Sequence, residues 1–302
     1  VTGGAGFIGS HVVDAYLNAG HEVLVADDLS CGHRENVDPR AKFYRVDVRS
    51  QDMAELIAKE KPEVVNHHAA QKSVPASVAD PVHDADINVL GLLNVLRASA
   101  DNGVSRVLFA STGGALAGTG LPSRETEPPQ LLSAYAVSKY TGETYLDYFS
   151  RQHGLEYAVL RYANVYGPRQ VAEGECGVVP IFMDNLMADR PSTLFAYQDM
   201  PRGSTRDYVH VRDLAHANLL ALTRGTNEVM NIGSSQEVHI ADIYDMLLEI
   251  SGKNQPLVRA RERPGDLRRS VLDSCKAREL LGWSPTIGLQ DGLEETWSSF
   301  QA

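Results

Sequence analysis

Residues 1–30 read VTGGAGFIGSHVVDAYLNAGHEVLVADDLS, with a glycine-rich turn near the start. Val1 and Thr2 fit the end of a strand, which predicts that further residues precede them in the full protein. Apolar residues recur at helical spacing over Ile8–Asn18, and β-branched residues over Glu22–Ala26 predict a strand. The stretch therefore predicts strand, turn, helix and strand, the first unit of a parallel sheet.

Three glycines in the turn, Gly3, Gly6 and Gly9, are spaced three residues apart. Such glycines let backbone N–H groups approach a pyrophosphate at a helix N-terminus, where the helix dipole favours negative charge. The second strand ends at Asp27 and Asp28, and a carboxylate there can accept hydrogen bonds from an adenosine ribose. Because it would repel a 2′-phosphate, the pattern favours NAD over NADP. A merely tight connection is the structural alternative.

Strand and helix patterns continue to alternate through the first half of the chain. The expected strands are Lys42–Val48, Glu63–His67, Arg106–Ala110 and Tyr157–Leu160, and the expected helices are Met53–Lys59, Ile87–Ala100 and Ala134–Ser150. This alternation is typical of parallel sheets that helices cover on both faces. We therefore expect an α/β fold, a Rossmann-type parallel sheet with a smaller C-terminal α/β lobe.

The rhythm of the sequence changes after Gly167 and Pro168, where longer irregular connections join shorter elements. We expect residues 1–168 to form a dinucleotide-binding domain that parts of 205–235 complete. Residues 169–302 are expected to form the second, substrate-binding lobe.

Composition narrows the classes of partner. The formal net charge of −11 over 302 residues disfavours binding to nucleic acid or to an anionic membrane. Cys31, Cys176 and Cys275 are scattered, which predicts neither disulfides nor a zinc site and suits a cytoplasmic protein. The paired His67 and His68 lie in a strand pattern, where packing is a better explanation than metal binding.

A second informative stretch is LLSAYAVSKYTGE, in which Tyr135 and Lys139 are four residues apart and share one helix face. Upstream, FAST (Phe109–Thr112) ends a buried strand, and ligands of open α/β sheets bind at such ends. Ser111 or Thr112 could therefore hold a substrate hydroxyl against Tyr135. The structural alternatives are a core tyrosine and a solvated lysine.

A tyrosine ionises near pH 10, so Tyr135 can act as a base only if its phenolate is stabilised. The ammonium of Lys139 and the positive nicotinamide ring of NAD⁺ would both stabilise it. The combination predicts a site that oxidises an alcohol.

Seven motifs follow one another over essentially the whole chain: TGGAGFIGSH (Thr2–His11), HAAQKSV (His68–Val74), FASTGGA (Phe109–Ala115), YAVSK (Tyr135–Lys139), RYANVYGPRQ (Arg161–Gln170), RDYVHVRDLA (Arg206–Ala215) and RPGD (Arg263–Asp266). With them the chain resembles the extended short-chain dehydrogenases/reductases, and among these the UDP-glucose 4-epimerases of the NAD-dependent epimerase/dehydratase family. The resemblance implies an NAD cofactor and a UDP-sugar substrate.

The resemblance also implies roles for individual residues. The residues implied to bind NAD are Gly3, Gly6, Phe7, Ile8, Gly9, Asp27, Asp28, Asp47, Val48, Ala69, Ala70, Lys72, Asn88, Tyr135, Lys139 and Tyr162. Those implied to bind the substrate are Thr112, Tyr135, Asn164, Val178, Phe195, Arg206, Arg263, Asp266 and Ser270. The implied catalytic set is Tyr135, Lys139, Thr112 and Ser111. Whether Phe195 or Tyr197 meets the uracil stays open.

The activity that the resemblance implies is epimerisation at C4 of a UDP-hexose. Tyr135 would remove the C4 hydroxyl proton while a hydride passes from C4 to NAD⁺, and the transient 4-keto sugar would take both back on its other face. The resemblance further implies a homodimer, paired through the helices near Asp84–Ala100 and Ala134–Arg151.

Two other activities remain as alternatives. Dehydratases and decarboxylases of the same superfamily need an acid after the Ser/Thr, where this chain has Gly113 and Gly114. A non-catalytic NAD sensor would not need Thr112, Tyr135 and Lys139, all of which are present.

Two positions bear on the sugar. Where the family usually has an aromatic residue before a glycine, this chain has Leu116-Ala117-Gly118. By the resemblance, Ser270 faces the C2 substituent, and its small side chain leaves room for an N-acetyl group. UDP-GlcNAc and UDP-GalNAc are therefore candidate substrates beside UDP-glucose and UDP-galactose.

Overall fold

Strands and helices alternate from the first residues of the computed structural model, which describes residues 1–172, 177–262 and 267–301. The strands are β1 (Leu24–Asp27), β2 (Lys42–Arg45), β3 (Val64–His67), β4 (Arg106–Thr112), β5 (Glu156–Tyr162), β6 (Asn164–Tyr166), β7 (Ser192–Ala196), β8 (Thr205–Arg206), β9 (Tyr208–His210), β10 (Glu228–Ile232), β11 (Val238–His239), β12 (Leu257–Arg261) and β13 (Arg269–Ser270).

The helices are α1 (Phe7–Asn18), α2 (Gln51–Glu60), α3 (Val74–Ala79), α4 (Pro81–Ala85), α5 (Leu92–Asp101), α6 (Gly113–Leu116), α7 (Ala134–His153), α8 (Val178–Met187), α9 (Val211–Ala221), α10 (Ile240–Ser251), α11 (Cys275–Leu281) and α12 (Leu289–Phe300). A π-helical turn, Asp86–Gly91, connects α4 with α5. Within the described ranges, none of these helices combines the length and apolarity that a membrane span requires.

Thr2 organises the main sheet. It forms parallel bridges to Ala26 in β1 and to His67 in β3. The resulting order is β2–β1–Thr2–β3–β4–β5–β10, and every neighbouring pair is parallel. Successive strands are therefore added to the sheet in opposite directions on the two sides of Thr2. Ligands of open α/β sheets bind where the strand order reverses in this way.

Helices cover both faces of this sheet because alternate residues of its strands point to opposite sides. In β4, Val107 and Phe109 pack into a core with α2, α5 and α7. Leu108 and Ala110 pack into a second core, with α9 and α11. The predicted α/β fold, with a parallel sheet between helices, is confirmed.

The C-terminal part of the chain adds small sheets beside the main one. Strand β7 pairs with β12, β8 lies between β11 and β13, and β6 pairs with β9. Phe182, Tyr244 and Trp297 help to form a separate core among α8, α10 and α12. Because β10 pairs with β5, the chain returns to the main sheet after residue 205. The division into lobes of 1–168 and 169–302 stays a prediction.

Two elements differ from the sequence expectation. Strand β2 ends at Arg45 rather than Val48, because Ser50 bonds back to the Asp47 carbonyl in a turn. The helix expected over Ile87–Ala100 is divided, since its first turn is the wider π-helical one.

The carboxylate of Asp213, in the first turn of α9, holds the segment before α12 by hydrogen bonds. It accepts hydrogen bonds from the Thr286 backbone N–H (3.0 Å) and hydroxyl (2.7 Å) and from the Ile287 N–H (3.0 Å). Asp213→Ala leaves these donors unpaired, so we expect the free energy of unfolding to fall by about 3 kcal/mol. Urea denaturation measures it, and Glu55→Ala, on the exposed side of α2, is the control with a loss below about 0.5 kcal/mol.

Candidate active site

The glycine turn before α1 is a cradle that side chains would fill. Gly3 has φ +65°, and a Cβ on it would lie 2.6 Å from the Ala69 backbone nitrogen. A Cβ on Gly9 would overlap the Gly3 carbonyl oxygen. The turn therefore packs, backbone against backbone, on the loop that follows β3. Such a cradle fits the pyrophosphate of a dinucleotide.

Asp27, at the end of β1, is fixed by the same turn. Its carboxylate accepts hydrogen bonds from the backbone N–H groups of Ala5 and Leu29, both at 2.9 Å. Burial raises the pKa of Asp27, and these two hydrogen bonds act against that rise. Asp28 instead accepts bonds from Ser30. Phe7 and Ile8 open α1, whose N-cap, Gly6, has no side-chain cap.

The other residues implied to bind NAD follow the next strands. Asp47 forms an ion pair with Arg49 (2.6 Å), and Val48 is buried in the core. Ala69, Ala70 and Lys72 lie in the loop after β3. The side chain of Asn88 bonds the backbone N–H and carbonyl of Gln71, both at 2.9 Å, so Asn88 shapes this loop.

The end of β4 and the start of α7 bring the catalytic candidates together. Thr112 is the last residue of β4, and its side chain lies near enough to that of Tyr135 to lower the pKa of the phenol. The Lys139 ammonium donates to the Ala110 carbonyl at 2.9 Å and lies 5.9 Å from the Tyr135 ring centre. Tyr135 and Lys139 share one face of α7, as their spacing predicts.

Burial dominates the electrostatics of this pair. It raises the pKa of Tyr135 to about 12, while the neighbouring Thr112 side chain acts in the opposite direction. Burial lowers the pKa of Lys139 to about 8, although the charges of Asp84 and Glu143 raise it. At neutral pH, Lys139 is therefore still mostly an ammonium and Tyr135 a phenol.

Ser111 points to a different partner. Its hydroxyl donates to Glu143 (2.6 Å), which forms a buried ion pair with Arg161 (2.6 Å). Neighbouring residues of a strand point to opposite faces, so Thr112 and not Ser111 is the hydroxyl beside Tyr135.

Two neutral histidines lie under the site. Burial lowers the pKa of both His67 and His68 to about 3. The His67 ring bonds the Thr2 hydroxyl (2.9 Å), and the His68 ring stacks on Tyr162 with ring centres 6.0 Å apart. The Tyr162 hydroxyl is in turn bonded to the Asn218 amide. No cluster of metal-ligating side chains occurs among the residues that the structure describes.

Among the residues implied to bind the substrate, four lie on the smaller sheets: Asn164, Phe195, Arg206 and Ser270. Asn164 donates to the Asp207 carbonyl (3.2 Å), and Arg206 pairs with Ser270 across β8 and β13. Val178 opens α8, and Phe195 lies in β7, apart from the main sheet edge. Arg263 and Asp266 lie outside the described residues.

The sequence interpretation did not assign roles to Asp84, Glu143 or Arg161, all of which are buried polar groups beside the catalytic pair. A signal existed for Glu143, because it follows Lys139 by four residues and so continues the same helix face. For Asp84 the signal is weaker, because its partners are distant in sequence.

Comparison with known proteins identifies the family of this chain. The model of the NAD dependent epimerase/dehydratase family matches residues 1–233. The UDP-glucose 4-epimerase of Thermotoga maritima, solved with UDP-glucose, is 44% identical with a TM-score of 0.95, over 99% of this chain and 97% of that one. The Thermus thermophilus enzyme, solved with NAD, is 43% identical with a TM-score of 0.94, over 100% and 98%.

A third solved structure has a different substrate name. It is the UDP-N-acetylglucosamine 4-epimerase of Methanobrevibacter ruminantium, in complex with UDP-N-acetylmuramic acid. It is 29% identical with a TM-score of 0.93, over 99% of this chain and 96% of that one. The family match and these likenesses together show that the chain belongs to the NAD-dependent epimerase/dehydratase family.

Proposed function

We propose that this protein is an NAD-dependent 4-epimerase that interconverts UDP-glucose and UDP-galactose. The observation that carries the proposal is the phenol of Tyr135, which lies beside the Thr112 side chain and the buried ammonium of Lys139. This group lies at the carboxyl end of β4, on the sheet edge that also holds the glycine cradle and Asp27. The likeness over nearly full length to 4-epimerases supports the same activity.

Backbone and side-chain groups from several loops form the cofactor site. The glycine cradle and the N-terminus of α1 hold the pyrophosphate, and Asp27 accepts the hydroxyls of the adenosine ribose. The loop 69–72 lines the cofactor on the other side. When bound, NAD⁺ supplies a hydride acceptor for C4 and a positive charge near the phenol.

Proton transfer belongs to Tyr135. Its Oη takes the proton of the C4 hydroxyl and later returns it to the C4 oxygen, while the Thr112 hydroxyl holds that oxygen in place. Lys139 favours the phenolate by charge, because its ammonium stays fixed on the Ala110 carbonyl. Arg206, Asn164, Arg263 and Asp266 bind the UDP, which leaves the hexose free to present either face.

The segment after Thr112 favours an epimerase over a dehydratase or decarboxylase. Neither Gly113 nor Gly114 carries the acid that those enzymes need, and a Cβ on Gly113 would overlap Leu272 Cδ1, so a side chain there requires Leu272 to move. The following loop has two acids: the Glu125 carboxylate accepts the Asn231 N–H (2.7 Å), and that of Glu127 accepts the N–H groups of Gly120 (2.8 Å) and Arg124 (3.1 Å). These hydrogen bonds hold the loop.

Proton NMR of the purified protein with UDP-galactose, without added cofactor, tests the activity. We expect conversion to UDP-glucose. Tyr135→Phe removes the base and should lower kcat at least about 100-fold while the protein keeps its bound NAD. An unchanged sugar, or a 4-keto-6-deoxy product, would reject the epimerase. Equal activity of Tyr135→Phe and wild type would reject the assigned base.

A small residue at position 270 supports N-acetylated substrates as well. Ser270 is buried on β13 beside Arg206. We expect Ser270→Tyr to lower kcat/KM for UDP-GalNAc at least about tenfold more than for UDP-galactose, because the ring occupies the space of the acetamide. Parallel assays of the two sugars measure this, with Ser270→Ala as the control. An equal loss with both sugars would contradict the assignment.

We also propose that two copies of the chain pair through α3, α4, the π-helical turn and α7. These elements pack against one another and share an apolar surface. Val78, Val82 and Leu90 are 64%, 78% and 58% exposed there, and Val137 and Tyr148 on α7 are also exposed. Exposed apolar residues gathered on one face mark an interface, and a second copy fits the helices implied for the dimer.

Light scattering after size-exclusion chromatography tests the dimer. We expect a dimer for the wild type and a monomer for Val82→Glu with Leu90→Glu, because two carboxylates would be buried without partners. Val258→Glu, an exposed apolar position on β12, is the control and should remain dimeric. A monomeric wild type would refute the proposed assembly.

A cytoplasmic location forms the last part of the proposal. Cys31 and Cys275 are exposed free thiols, and a reducing compartment preserves such groups.

A further inference from the structure

Asp84, on α4, is a fully buried carboxylate beside the catalytic residues. Its Oδ1 accepts hydrogen bonds from the Gln71 amide (2.8 Å) and the Asn88 amide (3.0 Å). Its Oδ2 accepts a bond from the Ser138 hydroxyl (2.6 Å). A buried charge is costly unless hydrogen bonds replace its water, and these three donors do so.

The three donors come from three different elements. Gln71 lies in the loop after β3, next to Ala70 and Lys72, and its backbone is held by Asn88 of the π-helical turn. Ser138 lies on α7, directly before Lys139. Asp84 thus connects the loop assigned to the cofactor with the helix that carries the base and its lysine.

A second contact fixes the position of the first turn of α7. The backbone N–H of Tyr135 donates to the Ser77 hydroxyl of α3 at 3.1 Å, and Ser77 itself bonds the Val74 carbonyl. Helix α7 is therefore held at two points one turn apart, Tyr135 and Ser138. Both hydrogen bonds join α7 to the short helices, α3 and α4, that follow the cofactor loop.

We propose that Asp84 is a positioning residue, which fixes the separation between the cofactor loop 69–72 and the segment Tyr135–Lys139 of α7. The inference rests on the proposed epimerase function and adds to it. Asp84 touches neither substrate nor cofactor in this assignment and acts through Gln71, Asn88 and Ser138.

The charge of Asp84 has a consequence of its own. It raises the pKa of both Lys139 and Tyr135. The other charged or titratable groups that face Lys139 are Glu143 on α7 and the neutral His67 and His68 at the end of β3. Removing the charge therefore lowers the pKa of both members of the pair. It moves the acidic limb of the rate profile to lower pH.

Two substitutions separate geometry from charge. Asp84→Asn keeps the size of the side chain: its oxygen can accept from Gln71 and Asn88, and its amide can donate to the Ser138 oxygen. Asp84→Ala removes all three hydrogen bonds. The matched control is Asp101→Asn, which removes an exposed carboxylate at the end of α5.

NAD content, measured after acid release from the purified protein, is the first readout, and kcat, KM and the pH profile with UDP-galactose are the others. For Asp84→Ala we expect at least about a fivefold loss of bound NAD and a tenfold loss of kcat, with KM changed less than about threefold. For Asp84→Asn we expect NAD content within about twofold of wild type. Its acidic limb should lie about half a pH unit lower.

Several results would overturn the inference. Wild-type NAD content and kcat in Asp84→Ala would do so, as would an equal loss in Asp101→Asn. If Asp84→Ala fails to fold, the variants Ser138→Ala and Asp84→Asn test the positioning role instead. Wild-type NAD content and kcat in Ser138→Ala, together with an unshifted pH limb in Asp84→Asn, would also reject it. A wild type that binds NAD but does not epimerise defeats the proposed function, and the NAD measurements still test Asp84.

Discussion

The contact between the Gly3 carbonyl and Gly9, with no side chain between them, is the constraint on which the site depends. It lets α1 begin directly behind the turn, while Thr2 enters the sheet between β1 and β3. Strands on both sides then end at one edge, so that Asp27 and Thr112 come to the same side of the molecule. The base on α7 lies at this same edge of the sheet.

The sequence could predict what depends on short spacings. Runs of β-branched residues predicted the strands, and a separation of four placed Tyr135 and Lys139 on one face of a helix. Because side chains alternate along a strand, Ser111 and Thr112 point in opposite directions. Which of them meets Tyr135 depends on the face that α7 covers. Only the three-dimensional packing decides that.

Asp84 shows where such reasoning ends. Its partners Gln71 and Ser138 are 13 and 54 positions away in the sequence, and no local periodicity links them. A carboxylate on a short helix is ordinarily a solvated group, and here tertiary packing overrides that expectation. The sites where polar side chains are buried are therefore the ones that a single sequence predicts least well.

The close approach of Gly113 to Leu272 has a consequence for how this chain could change its chemistry. The two residues belong to segments 159 positions apart, yet any side chain at the first requires the Leu272 side chain to move or to become smaller. An acid at position 113 would therefore be costlier alone than together with a smaller residue at 272. A change of chemistry at this position is therefore coupled to the packing of a residue distant in sequence, and the effects of the two mutations are not additive.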